Sequence, residues 1–161
     1  MSIENIKQIM DDFDLLQLLP SLENFGDLSM LLTRLAVLAG PLVLLFLGLH
    51  YFLAAPKEAN YTTGYRCYFG MGSLEAWRFT QRLAGAVWGI GGLVMAIVMT
   101  VKAGAFQDME LMVAMVQAGK LIFWEAVLAL ISVICINITV AILFDRKGNR
   151  RASWRDLLGK E

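Results

Sequence analysis

The most restrictive feature of the sequence is three long stretches that carry almost no charge. Residues 35–55 and 83–101 contain no Asp, Glu, Lys or Arg, and residues 121–144 contain a single acid, Glu125. Each stretch exceeds the roughly 18 apolar residues that a helix needs to cross the hydrocarbon core of a bilayer. Lipid offers the backbone no hydrogen-bond partners, so a helix, which satisfies its backbone internally, is the default structure for such stretches. The sequence therefore predicts an all-α integral membrane three-helix bundle, formed by residues 28–144.

The two ends of the chain differ in charge. In residues 1–27, apolar side chains recur close to a helical period with acids between them, which predicts an acidic amphipathic helix lying against the membrane helices or a partner. Pro20 is expected to end or kink that helix. Lys7 is the only basic residue of this segment. We therefore expect no signal peptide, and the first membrane helix must direct insertion. Residues 145–161 form a basic tail.

The distribution of lysine and arginine predicts the orientation in the membrane. The loop of residues 56–82 holds four basic residues and the tail holds six, whereas residues 1–34 and residues 102–120 hold two each. Basic segments near membrane helices stay on the cytoplasmic side. We therefore expect the N-terminus outside, with the first loop and the C-terminus in the cytoplasm.

Several residues inside the apolar stretches have specific expectations. Gly40–Pro41 predicts a kink in the first helix, and the glycines of the second helix predict close packing of a helix bundle. Glu125 is expected about one turn inside the third helix as a solvated interfacial carboxylate, with an ion or proton site as the alternative. Cys67 and Cys135 are expected to be free thiols.

The loop of residues 56–82 is longer than closure of a turn requires, and loops of this length are usually functional. Asn60 to Gly64 have the composition of a turn, and an aromatic run with Arg66 at its centre follows. Ser73 is placed to cap the next helix, with Glu75 in its first turn. That helix is expected to begin about ten residues before its membrane span, with Trp77 and Gln81 near one face and Arg78 and Arg82 on a neighbouring face.

This loop resembles the SdpI family of small bacterial membrane proteins. The resemblance rests on Asn60, Gly64-Tyr65-Arg66, Glu75-x-Trp77 and Gln81-Arg82 before the glycine-rich helix, and it covers residues 60–100. It implies a location in the bacterial inner membrane and a role in immunity to an antimicrobial peptide or in membrane signalling, with a toxin or a regulator as the protein or peptide partner. The candidate partner-binding residues are Asn60, Gly64, Tyr65, Arg66, Glu75, Trp77, Arg78, Gln81 and Arg82.

Two hypotheses of function remain open. In the first, the cytoplasmic loop receives or relays the state of the bundle, and Arg66 and Arg78 bind an acidic partner or lipid headgroups. In the second, the chain is a small transporter or a subunit of a larger membrane complex, and Glu125, Asn137 and Thr139 line a polar path. No catalytic cluster is recognisable, so we expect no enzyme activity, cofactor, metal or nucleic-acid partner. Self-association into a homo-oligomer stays open.

Overall fold

The computed structural model describes the backbone of residues 15–151 and the side chains of residues 25–151. Its helices are α1 (Leu15–Leu53), α2 (Leu74–Gly104) and α3 (Leu111–Leu143), and a 3₁₀ turn (Ala105–Asp108) connects α2 to α3. The described part of the chain contains no strand, which confirms the all-α prediction. Most of the predicted N-terminal amphipathic helix and the last ten residues of the basic tail lie outside the described residues.

All three predicted membrane helices are present and long enough to cross a bilayer. The apolar helical segments are Phe25–Leu53, Leu74–Asp108 and Leu111–Leu143. Their outer surfaces expose large apolar side chains, for example Phe46, Ile97 and Leu130, each more than half exposed. Exposed apolar area on this scale fits contact with lipid chains and not with water.

Two details of the helices differ from the sequence-based expectations. Pro20 does not end the first helix, because α1 continues through it as one helical element. The kink at Gly40–Pro41 stays a prediction. The connection between α2 and α3 is also short, since α3 begins at Leu111, ten residues before the apolar stretch. Charge marks where a membrane span ends, whereas helical hydrogen bonding continues past that point.

The glycines allow α1 and α2 to pack with their backbones in contact. Gly48 of α1 faces the backbone of Gly89, and a methyl group on either Gly85 or Gly92 would collide with the backbone of α1. Such close approach is the role of small residues at helix contacts in membranes. It confirms that these glycines serve bundle packing.

Candidate functional site

The loop between α1 and α2 begins after Leu53 and ends at a helix cap. The Ser73 hydroxyl oxygen accepts a hydrogen bond from the Ala76 N–H at 3.1 Å, and Glu75 lies in the first turn of α2. The same hydroxyl donates to the Gly148 carbonyl at 2.6 Å. Ser73 therefore performs the predicted cap and also attaches the start of α2 to the segment after α3.

Gln81 holds the loop against α2 through two hydrogen bonds with one residue. The Tyr65 N–H donates to Gln81 Oε1 at 2.8 Å, and Gln81 Nε2 donates to the Tyr65 carbonyl at 2.7 Å. Gly64 lies directly over the Gln81 and Trp77 side chains with φ at 98°, a backbone conformation that favours glycine. The indole N–H of Trp77 donates to the Pro56 carbonyl at 2.8 Å. These motif residues are therefore buried structural contacts of the loop.

Tyr65 extends this attachment to the third helix. Its hydroxyl donates to Asn137 Oδ1 at 3.0 Å and lies 3.3 Å from the Val133 carbonyl. Its ring packs edge-on against Trp88, with ring centroids 5.3 Å apart. Burial in this aromatic cluster raises the pKa of the Tyr65 hydroxyl to about 12, and the neighbouring Cys67 and Tyr51 add to the shift.

The remaining motif residues lie on the surface. Asn60 forms a turn, in which its side-chain oxygen accepts from the Thr62 and Thr63 N–H groups at 2.9 Å. Arg66 is exposed and donates to the Tyr61 carbonyl at 2.6 Å, so the contact that the structure gives it is a backbone carbonyl and not Glu75. The predicted site therefore divides into a clamp, formed by the buried Tyr65, Trp77 and Gln81 with the half-buried Gly64, and a group of polar residues at the surface.

Two of the exposed arginines line a cavity of about 550 Å³ where α2 begins and α3 ends. Its lining combines aromatic side chains with charges: Glu75, Arg78, Phe79, Arg82, Phe144 and Arg150. Three guanidinium groups and one carboxylate leave the cavity with an excess of positive charge, beside an apolar wall. Arg66 does not line it. We call this feature the arginine cavity.

Sequence reasoning missed the contribution of Arg150 to this cavity. Asp145 folds the chain back after α3, because its carboxylate accepts from the N–H groups of Lys147 and Asn149 at 2.8 Å. The Asn149 N–H is the main cause that holds the pKa of Asp145 below its usual value. Phe144 then pairs with Arg150 in an isolated antiparallel bridge. The sequence D-R-K-G-N was the available signal, since Asp, Gly and Asn favour tight turns.

Glu125 is not the solvated interfacial carboxylate that was expected. It is 5% exposed, and its Oε1 has no hydrogen-bond partner among the side chains and backbone that the structure describes. The helix begins fourteen residues earlier, at Leu111, and the carboxylate lies against Gly40 of α1. A glutamate can reach the interface only from a helix end, and Glu125 is too far from one.

Glu125 lines a groove to which Asn137 and Thr139 do not contribute. Asn137 is twelve residues further along α3, about 18 Å away at 1.5 Å per residue, where it accepts from Tyr65. Thr139 donates to the Cys135 carbonyl of its own helix at 2.8 Å. Both cysteines are free thiols, as predicted. No group of three or more potential ligands for a metal ion is present within the part of the chain that the structure describes.

Three long apolar helices with an outward apolar surface and a folded polar loop define a multi-pass membrane protein in contact with lipid. The model of the SdpI/YfhL protein family matches residues 57–144, which include the motif loop and all of α2 and α3. The chain belongs to the SdpI/YfhL protein family. No curated protein and no solved structure matches it.

Proposed function

We propose that this protein is a bacterial inner-membrane protein that confers immunity to an antimicrobial peptide or takes part in membrane signalling, without enzyme activity. The observation that carries the proposal is the position of Tyr65. Its backbone is bound to Gln81 of α2 and its hydroxyl to Asn137 of α3. A shift of α3 against α2 would therefore move the loop, which gives the bundle a means of relaying its state to a partner.

The arginine cavity is the surface that we propose for the partner. Arg78 and Arg82 lie on α2 ahead of its charge-free span, and Arg150 follows α3, so the basic residues of the loop and of the tail meet at one end of the bundle. Basic residues at one end favour the cytoplasmic side, with the N-terminus outside. Guanidinium groups bind carboxylates and phosphates in a bidentate manner. An acidic partner or a lipid headgroup fits this chemistry.

The experiment expresses the protein in a susceptible host and challenges the cells with peptides secreted by a producer strain. We expect the wild-type chain to protect the host and the double variant Arg78→Gln/Arg82→Gln to lose at least tenfold of that protection. The matched control is Lys102→Gln/Lys120→Gln, which removes two exposed charges elsewhere on the bundle. Membrane abundance must be equal in all strains. Full protection by the arginine variant would contradict a role for the cavity.

A separate substitution tests Arg66. Its guanidinium has one contact to a backbone carbonyl and is otherwise exposed, so the rest of its planar fork is available to a partner. Lysine keeps the charge but cannot reproduce a bidentate contact. We therefore expect Arg66→Lys to be nearly as damaging to protection or partner capture as Arg66→Ala, at equal abundance. Full activity of Arg66→Lys would reduce Arg66 to a membrane anchor.

A small transporter, or a subunit of a larger complex, is the second candidate function. The burial of Glu125 against α1 favours it, because acids within membrane bundles commonly serve ion or substrate pathways. The test is to reconstitute the protein in vesicles that carry a pH gradient and to follow a pH-sensitive dye. If the wild-type protein dissipates the pH gradient and a variant without Glu125 does not, the result would support transport. An unchanged pH gradient with the wild-type protein would argue against proton-coupled transport.

A further inference from the structure

An apolar groove lies between α1 and α3, away from the motif loop. Its volume is about 460 Å³, and its walls include Val43 and Leu44 of α1 and Ile122 of α3, with several alanines. Glu125 is the one titratable side chain that lines it among the residues described. A single carboxyl in such surroundings is not explained by the loop, by the arginine cavity or by helix packing.

The first helix is shaped to accept this carboxyl. Gly40 faces it so closely that a methyl group on Gly40 would lie 2.6 Å from Glu125 Oε2, and the other oxygen, Oε1, is buried without a partner. The next residue, Pro41, has no N–H, so the Val37 carbonyl one turn earlier lacks its usual intrahelical donor. The contact therefore leaves space for a carboxyl against α1.

Among the described residues, no other charged side chain lines the groove beside Glu125. The nearest along each helix are Arg34 on α1, Lys102 on α2 and Lys120 on α3, and none of them lines the groove. Arg34 lies six residues before Gly40, about 9 Å along the axis. A buried carboxylate without a counter-ion is costly in an apolar medium, whereas a carboxylic acid is not.

We propose that Glu125 is a reversible proton-binding site in the contact between α1 and α3. In the neutral state the acid lies against Gly40. Loss of the proton places a charge in that contact and loosens α1 from α3. The ligand of this site is the proton. The protonation of Glu125 depends on the pH on the side of the membrane that supplies the proton.

The probe is dicyclohexylcarbodiimide, an apolar reagent that modifies protonated carboxyl groups in membranes. The acid adds its O–H across one C=N bond of the reagent and forms an O-acylisourea. The acyl group then moves from oxygen to nitrogen, which leaves a stable N-acylurea that retains the whole reagent and no leaving group. The modified residue is located by mass spectrometry of peptides from the full-length protein in lipid vesicles.

We expect labelling at Glu125 that falls about tenfold for each pH unit once the acid ionises. Glu125→Gln should not be labelled at this position, and a water-soluble carbodiimide with an added amine should instead modify the exposed Glu75 and Glu110. Wild-type protein that is labelled at those two positions but never at Glu125 would overturn the proposal. Labelling at Glu125 that does not change with pH would also overturn it. The proposal would also be overturned if sodium, but not choline, reduced the labelling of Glu125 at constant pH. That result would indicate a cation site.

Discussion

Tyr65 and Gln81 form a two-bond pair in which one side-chain amide satisfies both backbone groups of the other residue. The bonds are 2.8 Å and 2.7 Å long, and Gln81 is almost fully buried. In a β-sheet, the backbone of a neighbouring strand would form these two hydrogen bonds. Here the side chain of one helical residue forms both. Gln81 therefore attaches the loop to α2 beside the Trp77–Pro56 hydrogen bond, and the Gln81 contact can be tested directly.

Gln81→Leu is expected to detach the loop. Leucine is similar in size but leaves the Tyr65 N–H and carbonyl buried without partners, at about 1–3 kcal/mol for each group. The matched control is Gln117→Leu, because Gln117 is exposed on α3. The measurement is thermal unfolding in detergent together with the rate of proteolysis within residues 54–73. Equal proteolysis of the two variants would show that the pair does not hold the loop.

Tyr65→Phe should remove a pH dependence that the wild-type protein shows at alkaline pH. Burial raises the pKa of Tyr65 to about 12 in the folded state, against about 10 for an unfolded chain. The neutral hydroxyl is favoured by folding, so its contribution to stability is complete below pH 10 and is lost as the pH rises to about 12. Stability of the wild-type protein should fall more steeply in that window than that of Tyr65→Phe. Tyr61→Phe, at an exposed tyrosine, should instead follow the wild-type curve.

Two adjacent glycines of α2 should respond oppositely to the same change. A methyl group on Gly92 would lie 2.5 Å from the Leu45 backbone nitrogen, whereas a methyl group on Gly91 meets nothing within 4 Å. Gly92→Ala should therefore destabilise the α1–α2 contact by roughly 1–3 kcal/mol, because rigid backbone cannot move aside. Gly91→Ala should be neutral or stabilising by up to about 1 kcal/mol, through helix propensity. Thermal unfolding of both variants in detergent measures the difference, and equal melting temperatures would contradict the packing described here.

The proposed orientation is tested by a single cysteine in a background where Cys67 and Cys135 are alanine. Gln107→Cys lies in the exposed 3₁₀ turn between α2 and α3 and should react with an impermeant thiol reagent in intact cells. Arg150→Cys, which follows α3, should react only after the cells are opened. Labelling of Arg150→Cys in intact cells would reverse the topology that the distribution of basic residues predicts.

The sequence by itself was sufficient for the membrane helices, the helix cap and the family. Charge-free stretches of this length favour helices in lipid, because a helix satisfies its backbone groups within one segment. Ser73 was recognisable as a cap because its side chain acts on the turn that follows it directly. The glycines of α2 also predicted close packing correctly. The helix cap depends on residues adjacent in the sequence, and the membrane helices depend on the surrounding lipid. Neither requires knowledge of contacts between distant residues.

Only the tertiary structure decided what the individual polar residues do. It buried Tyr65, Trp77 and Gln81 as a clamp, left Arg66 on the surface, and paired Tyr65 with Asn137, which is 72 residues away. It also placed Glu125 against Gly40, where the sequence had suggested a solvated carboxylate. The physical reason is that burial of a polar group depends on which helix faces it. Charge patterns fix where a helix lies along the membrane normal, but not which face it turns toward its neighbours.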